Sequence, residues 1–126
     1  MKFMFTIYHD ETVMDAMPEQ ERQALVDSAI EYAEEIRRSG HFTASSALQR
    51  ISTARTIRVH PGKVSTTVGP FAETKEQLGG FFVIEAKDMD EACAIAARFP
   101  PARVGAIEVR PVQALAHSQD QRGLPS

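Results

Sequence analysis

The order of the predicted elements indicates an α+β domain built on one antiparallel sheet. Over residues 1–112 the patterns follow one another as strand, helix, strand, hairpin, strand, helix, strand. That order is the split βαβ plan of a ferredoxin-like fold, with a β-hairpin inserted before the third strand of the sheet. A second observation concerns that third strand. Its residues 81–84 are apolar on both faces, so the sheet needs a cover on both sides.

The first eight residues form an apolar run that predicts a strand. The run is too short for a signal peptide or a membrane-spanning helix. A helix is then expected from Pro18 to Gly40, since these residues favour helix starts and helix ends respectively. Its charged face is predicted to lie in solvent, with Glu34 and Arg38 as an i,i+4 pair. Its inner stripe is predicted to contain Leu25, Ala29, Ala33 and Ile36, supported by Val26 and Ile30.

Turn residues divide the middle of the chain. A short strand is predicted over Phe42–Leu48. The segments Arg55–His60 and Lys63–Val68 flank Pro61-Gly62 and predict the inserted β-hairpin. A glycine pair then frees the backbone ahead of a strand over Gly80–Ala86.

The last third of the chain predicts a second helix and a final strand. Asp88 is expected to cap the helix, with Glu91 bonding back to complete a capping box. Pro100-Pro101 ends the helix, and Ala106–Val112 alternates as a strand. The side chains predicted to face inward from the helix are Ala92, Ile95, Ala96 and Phe99.

The apolar third strand also predicts an oligomer. Phe81 and Val83 point to one face of the sheet, whereas Phe82 and Ile84 point to the other. Two helices cover only one face, and a large apolar face left in water favours association. We therefore expect a homodimer in which the two sheets face each other.

Composition and charge narrow the class of protein. The 126 residues fit one domain, predicted over residues 1–114, followed by a flexible tail over residues 115–126. Net charge is −3 and the basic residues are dispersed, so neither nucleic acid nor a membrane is an expected partner. The single cysteine, Cys93, fits a cytoplasmic location. No His or Cys spacing is typical of a metal site, and no cofactor motif is present.

Four segments together resemble the DGPF-domain branch of the YCII-related superfamily. They are Gly69–Glu76 (Gly-Pro-Phe-Ala-Glu-Thr-Lys-Glu), Gly79-Gly80-Phe81, Asp90-Glu91-Ala92 and Glu108–Val112. The resemblance spans roughly residues 2–112. It implies a bacterial dimeric α/β barrel with a cavity between the sheet and the partner. It also implies an accessory role in an extracytoplasmic-function sigma-factor pathway, or lyase or dehydrochlorinase chemistry on chlorinated aromatic rings.

Two departures from the family pattern argue against that chemistry. The family turn begins with Asp, but this chain has Val68 there. Relatives pair a His on the first helix with an Asp as the acid–base set, whereas this helix carries Ile30 and Glu31 near the corresponding place and has no His. The sequence therefore predicts no dehydrochlorinase activity unless other residues replace the pair.

Strand parity selects the candidate site residues. On the last strand Ile107 and Val109 should pack on the helices, which turns Glu108 and Arg110 toward the opposite face. The full candidate set for ligand binding is Arg58, His60, Glu73, Lys75, Glu76, Glu108 and Arg110. His9, beside Asp10 and Glu11, is predicted to be an ordinary surface group.

Three functions remain open from the sequence. The first is a homodimer that binds a small polar or anionic aromatic molecule. The second is a lyase or dehydrochlorinase whose substitute acid–base pair comes from His60, Glu73, Glu108 and Arg110. The third is a purely structural or protein-interaction module, in which the dimer surface contacts a regulator and the cavity is filled. The structural interpretation of the charged residues is an ion pair of Glu108 with Arg110 or Arg58 and a solvated turn over residues 73–76.

Overall fold

A computed structural model describes all residues, 1–126. The helices are Glu11–Ala16 (α1), Glu19–Arg38 (α2) and Met89–Ala97 (α3). The strands are Lys2–His9 (β1), Phe42–Ala47 (β2), Arg55–His60 (β3), Lys63–Val68 (β4), Gln77–Glu85 (β5), Gly105–Pro111 (β6), Leu115–Ala116 (β7) and Gly123–Leu124 (β8). Short 3-10 turns occupy Ile51–Thr53 and Pro100–Arg103. None of the helices combines the length and apolar character needed to cross a membrane.

The main sheet has the strand order β2-β5-β1-β6, and every neighbouring pair is antiparallel. This confirms the predicted α+β class and the split order of strands. The centre of the sheet is β1, where Phe5 lies opposite Phe82 on one side and Val109 on the other. The pairing of β1 with β5 is interrupted between Ile7 and Tyr8, because β5 carries one extra residue at that point.

Both longer helices pack on one face of the sheet and form its core. Phe3, Phe5 and Ile84 are fully buried. Phe82 contacts Phe99 edge to face, with ring centroids 4.6 Å apart, a geometry that aromatic quadrupoles favour. The core also contains Ala86, Ala92, Ala96 and Ile36, with Ile107 and Val109 packed against it, as the strand and helix patterns predict.

The inner face of α2 differs from the predicted stripe. Tyr32 is buried there, and its hydroxyl donates to the carbonyl of Ile95 at 2.8 Å, tying α2 to α3. Val26 and Ile30, predicted to support the stripe, are exposed at 42% and 54%. The reason is that the N-terminal half of α2 stands away from the sheet, so its apolar residues border a cleft instead of a core.

The helix caps and the surface ion pairs also differ from those that the sequence predicts. The six-residue α1 was not expected from the sequence; its cap is Asp10, whose side chain accepts the N–H of Thr12 at 2.9 Å. Asp88 caps α3 as predicted, but the Glu91 carboxylate accepts from the N–H of Lys87, one residue before the cap. On the solvated face of α2, Glu34 and Arg38 form no ion pair. The pair that forms there is Glu35 with Arg98, at 2.9 Å.

The opposite face of the sheet has no helix over it. Its central side chains are half-buried: Met4, Thr6, Tyr8, Phe81 and Val83. The Thr6 hydroxyl oxygen is buried without a hydrogen-bond partner. We call this surface the open face. A buried polar atom without a partner is costly, so an additional surface that covers the open face and supplies a donor or acceptor would be stabilising.

The inserted hairpin and the end of the chain lie outside the main sheet. Strands β3 and β4 pair only with each other, with the bounds that the sequence predicts. We call residues 55–68 the arm. Its turn contains Gly62 at φ +75°, a conformation that glycine adopts without strain. Beyond β6, the exposed strands β7 and β8 form a two-residue ladder within the predicted tail.

Removing the central aromatic side chain should destabilise the fold. For Phe82→Ala we expect a loss of about 3–5 kcal/mol in the free energy of unfolding, because a buried Phe leaves a cavity. Urea unfolding followed by circular dichroism measures this loss. The control is Phe71→Ala, since Phe71 is 74% exposed and its loss should stay below about 1 kcal/mol. Equal losses in the two variants would contradict the assignment of the core.

Candidate functional site

An apolar cleft of about 440 Å³ lies between α2 and the end of the sheet. Seventeen residues line it, and eleven of them are hydrophobic. The walls are Leu25, Ala29 and Ala33 of α2 on one side and Ile7 and Phe82 of the sheet on the other. The lining contains no Asp, Glu, Lys or Arg. Its polar side chains are those of His9 and Ser45, because Ser46 pairs with Phe81 and turns its hydroxyl to the open face. Its volume falls within the range typical of small-molecule pockets.

His9 is the one ionisable side chain of the cleft. It follows Phe3, Phe5 and Ile7 on the helix-facing side of β1 and is half-buried, so it is not the ordinary surface group that the sequence suggests. The histidine rings that form hydrogen bonds are those of His41 and His117, whereas the His9 ring has no partner within the chain. A histidine placed this way can donate to, or accept from, a bound molecule.

The extra residue of β5 explains the position of that ring. Gly79 is the bulged residue, and a Cβ atom built on it would lie 2.2 Å from Cε1 and 2.4 Å from Nδ1 of His9. The imidazole therefore lies directly against the glycine backbone. Any side chain at position 79 would displace it, because the contact is far shorter than van der Waals distance. Bulges commonly direct side chains in this way beside functional sites.

A second, polar depression of about 860 Å³ lies where β1 ends and the Gly-Pro-Phe turn returns to β5. We call it the bay. Its polar lining includes Tyr8, Asp10, Lys75, Glu76 and Glu108. Lys75, Glu76 and Glu108 are exposed, whereas Asp10 is 9% exposed. The bay thus carries three carboxyl groups against one ammonium group, which disfavours an anionic ligand.

The Asp10 carboxyl is held in its ionised form. The Thr12 hydroxyl donates to it at 2.6 Å, and the Thr12 N–H donates at 2.9 Å. These hydrogen bonds, with a smaller contribution from the charge of Lys75, keep the pKa of Asp10 below its ordinary value. Asp10 is therefore a helix cap that stays charged at neutral pH, and it is poorly suited to act as a general acid.

The structure brings some of the sequence-predicted site residues together and separates others. Lys75, Glu76 and Glu108 share the bay. The Arg110 side chain is exposed and pairs with Glu108 at 2.8 Å. The Arg58 guanidinium lies 5.1 Å from the centre of the Phe71 ring. The remaining two candidates are Glu73 in the turn and His60 at the end of the arm, and both are exposed and line neither the cleft nor the bay.

The cleft residues were not among the sequence candidates, although part of the signal was present. The alternation Phe3, Phe5, Ile7 places His9 on the same face as the buried side chains of β1. Nothing in the sequence shows that Gly79 makes a bulge, or that the first half of α2 leaves a space. No group of three His, Cys, Asp or Glu residues could hold a metal ion.

A solved structure shares this architecture. It is 5-chloro-2-hydroxyhydroquinone dehydrochlorinase from Burkholderia phenoliruptrix AC1100, in complex with 2,5-dihydroxybenzoquinone. The match has a TM-score of 0.53 at 16% identity and covers 90% of this chain and 94% of the other. At this identity the likeness is one of fold.

Sequence comparison identifies relatives over nearly the whole chain. An uncharacterised protein of Rhizobium meliloti (strain 1021) is 32% identical over 114 residues, which cover 89% of this chain and 92% of the relative. The YCII-related domain matches residues 1–116. The chain therefore belongs to the YCII-related family.

Proposed function

We propose that this protein binds a small aromatic molecule with a polar or anionic substituent in the cleft between α2 and the sheet. The observation that carries this proposal is an apolar pocket with a single histidine whose ring nitrogens have no partner in the chain. Pockets that are mostly apolar and contain a few directed polar groups are the usual form of small-molecule sites.

The chemistry of the lining favours this class of ligand. Ala29 and Ala33 on one wall and Phe82 on the other leave a space bounded by aliphatic and aromatic carbon, which suits a planar ring. His9 and Ser45, which pairs with Phe82 on the helix-facing side of the sheet, supply the donors for a hydroxyl or carboxylate group. No carboxylate of the lining opposes an anion. The three carboxyl groups of the bay would instead repel an anion.

A homodimer formed through the open face is the second part of the proposal. Phe81 and Val83 are half-buried there with no helix over them, and the Thr6 hydroxyl lacks a partner. A second sheet would remove these apolar side chains from water and could supply a partner for Thr6. The bay residues at the end of the same face would then lie near the boundary between subunits.

A lyase-like activity is the second candidate function. The shared fold with a dehydrochlorinase and the position of His9 favour it, since histidine is the commonest acid–base group. Glu108 and Arg110 pair with each other outside the cleft, whereas His60 and Glu73 lie elsewhere. His9 would therefore have to act without the acid–base set considered from the sequence.

We also propose a branch of the family, a regulatory partner and a cellular location for this protein. The Gly-Pro-Phe turn supports placement in the DGPF branch, and Gly69 adopts φ +112°, which glycine tolerates best. A protein of a sigma-factor pathway is the proposed regulatory partner, through the resemblance of that turn. The exposed, unpaired Cys93 supports a reducing, cytoplasmic location.

Changing the cleft should change ligand binding. With 2,5-dihydroxybenzoquinone and salicylate as probes in titration calorimetry, His9→Ala should weaken binding about tenfold through the loss of one hydrogen bond to a charged or polar group. Gly79→Ala should act in the same direction because its Cβ displaces the His9 ring. Ala29→Phe should abolish binding by filling the cleft.

Two matched controls accompany this experiment. His60→Ala removes an exposed histidine and Ala94→Phe adds a ring to an exposed position of α3, so both should bind like the native protein. If the native protein binds neither probe, or if Ala29→Phe binds as well as Ala94→Phe, the cleft is not the site.

We expect no measurable turnover of 5-chloro-2-hydroxyhydroquinone by the native protein. Position 68 is Val and α2 contains no His, and a positioned acid or base typically contributes ~10²–10⁴-fold in rate. Chloride release measures turnover, with Glu108→Gln, His60→Ala and His9→Ala assayed beside the native chain. Robust native turnover that one variant loses would make the protein an enzyme and that residue its acid or base.

The open face yields a test of the dimer. Phe81→Glu should give a folded monomer, because Phe81 lies on the open face. Phe82→Glu should instead unfold the chain, since it buries an unpaired charge among Phe42 and Phe99. Sedimentation at micromolar concentration separates these outcomes. A native protein that sediments as a monomer would contradict the dimer.

A further inference from the structure

One face of the arm is apolar and uncovered. The register of β3 with β4 places Ile57 and Val59 on the same side as Val64 and Val68. These four side chains are 57%, 73%, 65% and 68% exposed, respectively. The arm's own subunit therefore leaves its four branched aliphatic side chains in water.

An isolated hairpin of this kind needs a surface to pack on. Two-stranded hairpins are at best marginally stable in water, and an exposed apolar strand pair favours association. Within its own chain the arm pairs with no strand of the main sheet. The charge of the arm is also one-sided: residues 51–72 contain no Asp or Glu, and Arg55, paired with Val68, lies on the apolar face. The missing surface should combine apolar side chains with negative charge.

A surface with those properties exists on α2. Val26 and Ile30 are exposed on the rim of the cleft. Around them stand the exposed carboxylates of Asp27, Glu31 and Glu34. Over residues 19–36 the helix carries six carboxylates and a single Arg. We call Val26, Ile30 and these three carboxylates the rim.

We propose that the arm of one subunit packs on the rim of a second copy of this chain and closes the mouth of its cleft. Apolar side chains meet apolar side chains, and Arg55, which lies on the apolar face of the arm opposite Val68, meets the carboxylates of the rim. A second copy is the occupant because the arm and its complement belong to the same sequence, so every copy offers both. Two such contacts related by a two-fold axis close the assembly.

The contact makes each binding site depend on two chains. Val26 and Ile30 belong to the lining of the cleft, so an arm lying on them bounds the ligand space. This consequence for binding rests on the proposed function of the cleft. The contact itself is independent of any ligand and can be tested without one.

Cysteine cross-linking tests the contact directly. In a Cys93→Ser background, the double variant Ile30→Cys/Val59→Cys should form a covalent dimer on mild oxidation, seen as a doubled mass on a non-reducing gel. The matched control is Ile30→Cys/Arg58→Cys, because Arg58 is the neighbour of Val59 and points to the other face of the arm. Neither this control nor the single variants Ile30→Cys and Val59→Cys should link.

The outcomes separate the contact from the proposed function. A link specific to position 59 supports the contact even if the native protein binds neither aromatic probe. Native binding of salicylate or 2,5-dihydroxybenzoquinone without that link overturns the contact and leaves the cleft as the site. Equal linking through positions 58 and 59 also overturns it, since random collision then explains both. In a further outcome, the double variant fails to link and a different protein protects the Val59→Cys thiol from labelling. That result would overturn the proposal, because the arm would then pack on the other protein.

Discussion

The antiparallel pairing of β1 with β5 positions the core, the histidine of the cleft and the charged turn beside the bay. Its regular part brings Phe5 and Phe82 together beneath the helices. Its single irregularity, at Gly79, turns His9 into the cleft. Beyond the irregularity, the amide of Gln77 donates to the carbonyls of Ala72 and Thr74 at 2.8 and 2.9 Å and holds the charged turn. Core, cleft and bay are thus built from the same two strands.

The sheet separates two kinds of chemistry on its two sides. On the helix side, the sheet ends at a cleft whose lining has no Asp, Glu, Lys or Arg. One histidine is its only ionisable group. The bay, at the end of β1, collects carboxylates and a lysine that stay solvated. A polar contact is worth more in the less hydrated site, because the local dielectric constant is lower there. This difference is the physical reason why we propose the cleft, and not the bay, as the ligand site.

The small core connects stability with assembly. Only 15 of the 126 residues are buried in the single chain, and large apolar side chains remain exposed on the arm and the rim. Small domains bury a limited share of their surface and depend on additional contacts for stability. Covering the open face and the arm with a second copy would add apolar burial where the single chain lacks it. Assembly and site formation would then depend on the same contacts.

The sequence alone determined the order of the main-sheet strands and the two longer helices, the bounds of the hairpin strands, the Asp88 cap and the side of β6 that meets the helices. These features follow from periodicity and turn chemistry, which act over a few neighbouring residues. Only the tertiary structure decided that Tyr32 enters the core while Ile30 borders a cleft, and that Gly79 admits the His9 ring. Those outcomes depend on how far a helix stands from a sheet and on one extra residue in a strand pair. Both are set by contacts between segments about 50 to 70 residues apart, which local sequence patterns do not encode.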